Sequence, residues 1–368
     1  MATGFFWDER CFWHAGGNYT FTMPIGGLVQ PMSAGGLPES PETKRRLKNL
    51  MDVTGLTAEL DARSASEATR EMLERVHPAS YLDAFKALSD QGGGELGHHA
   101  PFAKGGYEIA SLSAGLAATA VSEVASGKLE NAYALSRPPG HHCEAETPQG
   151  FCLLANIAIA IENAKASGQV NRVAVLDWDV HHGNGTESIF YDRDDVLTIS
   201  LHQAGNYPYE TGKLEHRGRG AGEGYAVNLP MHAGCGHVAY LHAMDRVAIP
   251  AIEAFKPDMI IVACGFDAAI VDPLARMQAM AETFGAMTQK IKDCAQRLCG
   301  GKLVLVHEGG YSEGYVPFCG HATLTALSGS DIHAPDPMAA GLKHRQPSPA
   351  FDTFLCHSID EMANALEI

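Results

Sequence analysis

The chain has 368 residues, with 43 Asp and Glu against 27 Lys and Arg, a formal net charge of −16, and 45% hydrophobic residues. A chain of this size and composition buries roughly three quarters of its surface, which excludes a disordered protein. The negative balance argues against a nucleic-acid partner, which needs a basic face to displace counterions, and it suits a cationic substrate drawn to an acidic rim. Nine cysteines are scattered without a CxxC pair, which fits neither a disulfide scaffold nor a thiolate metal site and points to a reducing compartment. Acids stand near the start, where a secretory leader needs a basic end and an apolar run, so a cytoplasmic location is expected. Apolar runs such as 152–161 reach only half a membrane span, so no membrane partner is expected.

In chain order, residues 28–41 read as a long loop rich in Gly, Pro and Ser, and helices are predicted over 41–50, 66–76, 79–89 and 106–126. Short, continuously apolar runs then alternate with helical patterns. Strands are predicted over 132–136, 172–177, 196–202, 259–264 and 303–307, and helices over 156–166, 185–191, 237–255 (kinked at Pro250) and 281–298. A tail rich in Pro and polar residues covers 330–349, and a last helix over 358–368 would take Ser358 as its N-cap. Near-continuous apolar strands between helices indicate a parallel sheet covered on both faces. A single α/β domain over 1–368 is expected, with a loop-rich segment at about 1–45 and a C-terminal extension at about 331–368. Ligands of such sheets bind beyond the carboxyl ends of the strands, so the loops after the apolar runs are where chemistry is sought.

Four of those loops carry it: Arg137-Pro-Pro-Gly-His-His142, Asp177-Trp-Asp-Val-His181, Gly265-Phe-Asp267 and His307-Glu-Gly-Gly-Tyr311. In extended chain, residues i, i+2 and i+4 share a face, so Asp177, Asp179 and His181 converge. Asp179 and His181, with Asp267 from a neighbouring loop, suit a divalent ion that keeps an open position, and Asp177 would orient a histidine. His141 and His142 are candidates for proton transfer, and Tyr311, freed by Gly309 and Gly310, for hydrogen bonding to an oxyanion. Taken singly, each has a plainer explanation: acids capping the next helix, a surface histidine pair, a core aromatic ring. An EF-hand is excluded, because His182 stands at its sixth position and Ser188 at its twelfth. A rival reading takes Gly310-Tyr-Ser-Glu-Gly314 as a nucleophile elbow on Ser312, with acid and base at Asp331, Asp336, His333, His344 or His357. It leaves three of the four loops unexplained.

Together with Ser200-Leu-His202, these motifs resemble the zinc-dependent histone deacetylase family, and most closely its branch of bacterial deacetylase-like amidohydrolases related to class II enzymes and acetylpolyamine amidohydrolases. The resemblance runs in order from about residue 70 to 330. It implies the arginase–deacetylase fold, one α/β domain on an eight-stranded parallel sheet. It also implies zinc on Asp179, His181 and Asp267, a catalytic dyad of His141 and His142 with Asp177, and Tyr311 polarising the carbonyl. Gly150, Phe151, Tyr207 and Gly310 would line the acyl-amine channel, and Glu95 would be a rim acid. Many relatives carry Phe where Tyr207 stands. A potassium ion would sit by Asp177, Asp179, His181, Ser200 and Leu201, and a second by Phe190, Arg193, Val196 and Tyr225. Asn184 occupies a position where class I enzymes have Asp, so His142 would lack a carboxylate partner. The implied reaction removes acetyl or short acyl groups from acyl-lysine or acylpolyamine amines. A ureohydrolase of the same fold would need a second acid near Asp267, where the chain offers Ala-Ala-Ile. A homo-oligomer is compatible with all of this.

Overall fold

The computed structural model describes residues 2–17, 19–20, 22–24 and 36–368; most of the expected 28–41 loop lies outside the described residues. Eight strands form one parallel sheet. They are β1 (Thr3–Phe6), β2 (Asp61–Arg63), β3 (Asn131–Ala134), β4 (Val173–Asp177), β5 (Val196–Gln203), β6 (Ala226–Met231), β7 (Met259–Cys264) and β8 (Leu303–His307). Their spatial order is β6-β5-β4-β7-β8-β3-β1-β2. β3, β4, β5, β7 and β8 lie where the apolar runs predicted them, within two residues, and are buried almost throughout because helices cover both faces. The other three strands lack such a run. β1 is four residues interrupted by Gly4, β2 is polar, and β6 contains Asn228 and Pro230. Pro230 is tolerated because β6 is an edge strand, where one face of the ladder has no partner.

The four strands that precede the motif loops, β4, β7, β8 and β3, are consecutive neighbours in the sheet. Their ends are level. Asp177 pairs with Ala263, Cys264 with His307, and Val306 with Ala134. The motif loops therefore leave the sheet side by side at one edge.

Helices Gly106–Ala125 and Asn156–Ala166 match their expected spans to within a residue and pack together on the sheet, the first with most of its residues buried. Between His237 and Phe255, a wider π turn at Met244–Ala248 joins two α segments just before Pro250. Pro250 has no N–H to donate back into the preceding turn, and the widened turn accommodates that loss. The helix expected over 66–76 is confined to Arg70–Glu74. The last helix starts earlier than Ser358. It runs Pro349–Ala365 and is capped by the Ser348 hydroxyl, with Pro349 preset for the first helical position. Leu355, Ile359 and Ala363 bury one face of it, so the C-terminal extension packs on the domain.

The start of the chain is fastened under the sheet edge by one buried ion cluster. Glu39 lies 3.0 Å from Arg137 and 3.1 Å from Lys44, with all three side chains almost fully buried. Arg137 also donates to the Cys11 and His14 carbonyls at 3.0 and 2.9 Å. Burial alone would raise the Glu39 acid, but the two cations outweigh it and hold it at about 2. Its folded-state value is thus below its unfolded one, so its stabilisation is present above about pH 4 and is lost as pH falls towards 2. Glu39→Gln should destabilise the fold by about 3 kcal/mol at neutral pH, since it strands two buried cations. Urea titrations of wild type and variant should converge between about pH 4 and pH 2, and a gap independent of pH would refute the assignment.

Candidate metal centre and channel

Asp179, His181 and Asp267 meet at the sheet edge. Their ligand atoms lie within 4.8 Å of one another and all three residues are buried. His181 Nδ1 is 3.1 Å from Asp179 Oδ1 and 3.0 Å from Asp267 Oδ2. Backbone amides hold the outer lone pairs: Gly309 N–H donates to Asp179 Oδ2 and Val180 N–H to Asp267 Oδ1, both at 2.8 Å. Burial, and then the charge of Asp179, push the Asp267 acid up to about 6. Burial would lower the His181 imidazole, but Asp267 and Asp179 outweigh it and push it up to about 10. Two carboxylates and an imidazole gathered this closely could hold a divalent cation. A Cβ at Gly309 would collide with Asp267 Oδ2 and lie 2.8 Å from the Tyr311 hydroxyl, so only glycine lets the loop after β8 pass this close.

Asp177 stands aside from this group. Its Oδ2 is 2.9 Å from His141 Nδ1, and its Oδ1 accepts from the Asp179 amide at 3.0 Å. The His142 ring lies against that of His141, with centroids 3.9 Å apart and planes inclined by 41°, and its Nδ1 is 2.8 Å from Asn184 Oδ1. The Asn184 amide nitrogen in turn donates to Glu144 at 3.2 Å, which fixes the oxygen towards His142. His142 therefore has a neutral partner backed by a carboxylate one step away, an arrangement the sequence did not disclose. The two imidazoles differ in charge state. Burial and the neighbouring His141 and His181 lower His142 well below the usual range. His141 is raised well above it, because Asp179 and Asp177 outweigh burial. Glu308 fastens their loop, its Oε2 accepting from the Gly140 and His141 amides at 2.7 and 3.1 Å. His141, Cys152 and Glu308 form a second compact group, in which burial raises the Cys152 thiol well above its usual value.

Above the Asp179, His181 and Asp267 group opens a cavity of about 230 Å³ whose lining includes His142, His181, Phe151, Gly150, Tyr207 and Tyr311. Gly150 and Phe151 both have left-handed backbone, with φ of 54° and 68°. This costs Phe151 strain and sets its ring 5.8 Å from that of Tyr311. The Tyr311 hydroxyl titrates far above the usual range, because of burial and the Asp267 and Asp179 charges, so it remains a donor. Thr22, His99, Asn206, Tyr209 and Leu274 complete the described lining, and none of them was singled out from sequence. His99 carried one weak signal, its place in a Gly-His-His stretch two residues before Pro101.

Other expected residues fall elsewhere. Glu95 does not line the cavity; its carboxylate accepts from the Ala100 amide at 3.0 Å and lies 3.4 Å from the Tyr19 hydroxyl. No Asp or Glu is among the described residues lining the mouth. Gly310, with φ of 123°, packs against Phe266 and Val316. Ser200 and Asp177 border a void of about 10 Å³ beside β4 and β5, close to Leu201. Phe190, Arg193, Val196 and Tyr225 gather near the start of β5, where the Phe190 and Tyr225 carbonyls already accept backbone N–H groups at 3.0 and 2.9 Å. The Ser312 hydroxyl has no hydrogen bond to any histidine among the described residues, which leaves the nucleophile-elbow reading without a base.

No helix among the described residues is long and apolar enough to cross a membrane. The histone deacetylase domain model matches residues 37–327. A histone deacetylase-like amidohydrolase of Pseudomonas aeruginosa is 56% identical over 361 residues, covering 98% of this chain and 95% of its own. A probable deacetylase of Archaeoglobus fulgidus is 36% identical over 81% of this chain and 84% of its own. The crystal structure of the HDA15 HD domain superposes with a TM-score of 0.82 at 32% identity, covering 100% of this chain and 98% of that one. With the model match, the full-length relative and the shared fold in agreement, the chain belongs to the histone deacetylase family.

Proposed function

We propose that this chain is a zinc-dependent amidohydrolase that removes acetyl or other short acyl groups from N-acylated amines. The observation that carries the reading is the convergence of Asp179, His181 and Asp267 at the floor of a cavity that also exposes His142 and Tyr311. Two carboxylate oxygens and one imidazole nitrogen fit zinc, with a position left open towards the cavity. Bound there, zinc would supply Lewis acidity towards the acyl carbonyl and the attacking water.

The protein's own groups would do the rest. Asn184 Oδ1 can only accept, so His142 carries its proton on Nδ1 and offers the Nε2 lone pair to take a proton from water. His141, held through Nδ1 by Asp177, favours the charged form and would give a proton to the leaving amine. The Tyr311 hydroxyl would donate to the developing oxyanion. Phe151 and Tyr207 would flank the stem of the acyl amine and exclude water. The potassium ions expected beside Ser200 and Tyr225 belong to the same reading, as supports for the loops that carry the metal ligands.

Dialysis against a chelator should abolish hydrolysis of an acetyl-lysine fluorogenic amide, and one equivalent of zinc should restore it; activity that survives complete metal removal would sink the proposal. Tyr311→Phe should lower kcat about 10²–10³-fold with little change in KM. Gly309→Ala should leave the fold intact by circular dichroism yet reduce bound zinc, measured by plasma emission, well below one per chain.

A further inference from the structure

Three residues that line the cavity, Asn206, Tyr207 and Tyr209, ride on a loop that belongs to no strand or helix. Tyr209 is 79% exposed, so its place follows from the course of the backbone. Two buried imidazoles that the proposed chemistry does not use fix that course. His182 and His202 lie with ring centroids 4.9 Å apart. The His182 amide donates to the Tyr207 carbonyl at 3.2 Å. Four residues further on, the Thr211 hydroxyl is 3.0 Å from His182 Nδ1 and donates its proton to the Pro208 carbonyl at 2.8 Å. That single proton is committed, so the imidazole is the donor to Thr211. The turn from Tyr207 to Thr211 is thus clamped at both ends by one residue, through its backbone at one end and its ring at the other.

The second ring completes the seat. His202 Nε2 donates to the Gly212 carbonyl at 2.9 Å. The remaining ring nitrogens are engaged as well, His182 Nε2 lying 3.3 Å from Glu187 Oε2 and His202 Nδ1 3.0 Å from Ser200 Oγ. Neither ring can turn without breaking a bond. Gly212 has a φ of 63°, and a Cβ there would lie 2.5 Å from His202 Nε2 and 2.7 Å from His182 Cγ, so the loop is pressed onto both rings. His182 directly follows His181 in the chain, so the wall of the cavity takes its position from the same segment that forms the floor.

We propose that Thr211, acting through His182, is a positioning residue that sets the clearance of the acyl-amine channel and so its preference for unbranched stems. This rests on the amidohydrolase reading above and deepens it. With the clamp closed, the Tyr207 ring is kept edge-on to His142 at 5.1 Å and cannot swing away from the stem. A wall held this way discriminates by shape, because a stem that needs more room must break the seat to obtain it.

The test uses the zinc-loaded full chain and two acetyl amides, one with an unbranched methylene stem and one with a methyl branch beside the amide nitrogen. Thr211→Val keeps the shape and removes the hydroxyl; Thr211→Ser gives the hydroxyl back. Thr211→Val should raise KM for the unbranched probe about tenfold with kcat within about twofold, and lower the preference for it over the branched probe at least about threefold. Thr211→Ser should recover both values, and zinc should stay at one per chain in all three proteins. Gly212→Ala, which pushes the loop off both rings from its other end, should give the same rise in KM. An unchanged KM in Thr211→Val or in Gly212→Ala overturns the proposal. A fall in kcat at constant KM, or a loss of zinc, overturns it too and makes Thr211 a support of the floor. If wild type hydrolyses neither probe, the amidohydrolase reading fails instead, and hydrogen exchange decides the clamp. Exchange across 204–212 should then be faster in Thr211→Val and normal in Thr211→Ser, with 303–311 equally protected in both; equal exchange across 204–212 counts against the clamp.

Discussion

Asp179 and Asp267 are buried carboxylates brought close around one imidazole; burial and the charge of Asp179 push Asp267 up, while His141 and His181 outweigh burial and hold Asp179 low. In a low-dielectric interior, such repulsion is not relieved by small movements of side chains. It has to be opposed by a framework that cannot spread. The sheet provides that framework. The two carboxylates follow β4 and β7, which are hydrogen-bonded neighbours, and each is clamped by an amide from another motif loop. The Phe266 amide donates to the Gly309 carbonyl at 3.0 Å and the Tyr311 amide to Asp272 at 2.8 Å, closing the loops after β7 and β8 onto each other. The same closeness is what would suit the pair to a shared positive charge.

Charge is also divided on the other side of the cavity. His141 and His142 are adjacent in sequence and in contact in space, yet they face different partners: a carboxylate for one, an amide for the other. Without that difference the two rings would compete for a single proton. With it, one is biased towards the charged form and the other towards the neutral form, as an acid and a base working in the same reaction require. The hydrogen bonds that separate the two rings are made at the Nδ1 atoms, by Asp177 and by Asn184.

Much of this was legible in the sequence, for definable reasons. Strands buried on both faces advertise themselves as apolar runs, and an acid or histidine just past such a run is conspicuous. That is how Asp179, His181, Asp267 and Tyr311 could be named before any coordinates. The edge strands β2 and β6 gave no such signal, because a strand with one free edge tolerates polar residues and proline. The pairing of Arg137 with Glu39 joins residues 98 positions apart, and no local pattern encodes it. The mouth was the least legible part. His99, Asn206 and Tyr209 reach the cavity by the course of irregular loops, and the acid expected at Glu95 turns instead to a neighbouring amide.

The floor of the cavity and its walls are thus built in different ways. The floor hangs from strand ends locked in register across the middle of the sheet, while Tyr207, Tyr209 and Asn206 ride on a loop that leaves β5, the strand next to the sheet's margin. A substitution in that loop can alter which molecules enter without disturbing the apparatus beneath. Evolution can therefore retune the diet of such a protein one wall residue at a time and leave its chemistry untouched. In this architecture, relatives are expected to agree on the reaction long after they have ceased to agree on the substrate.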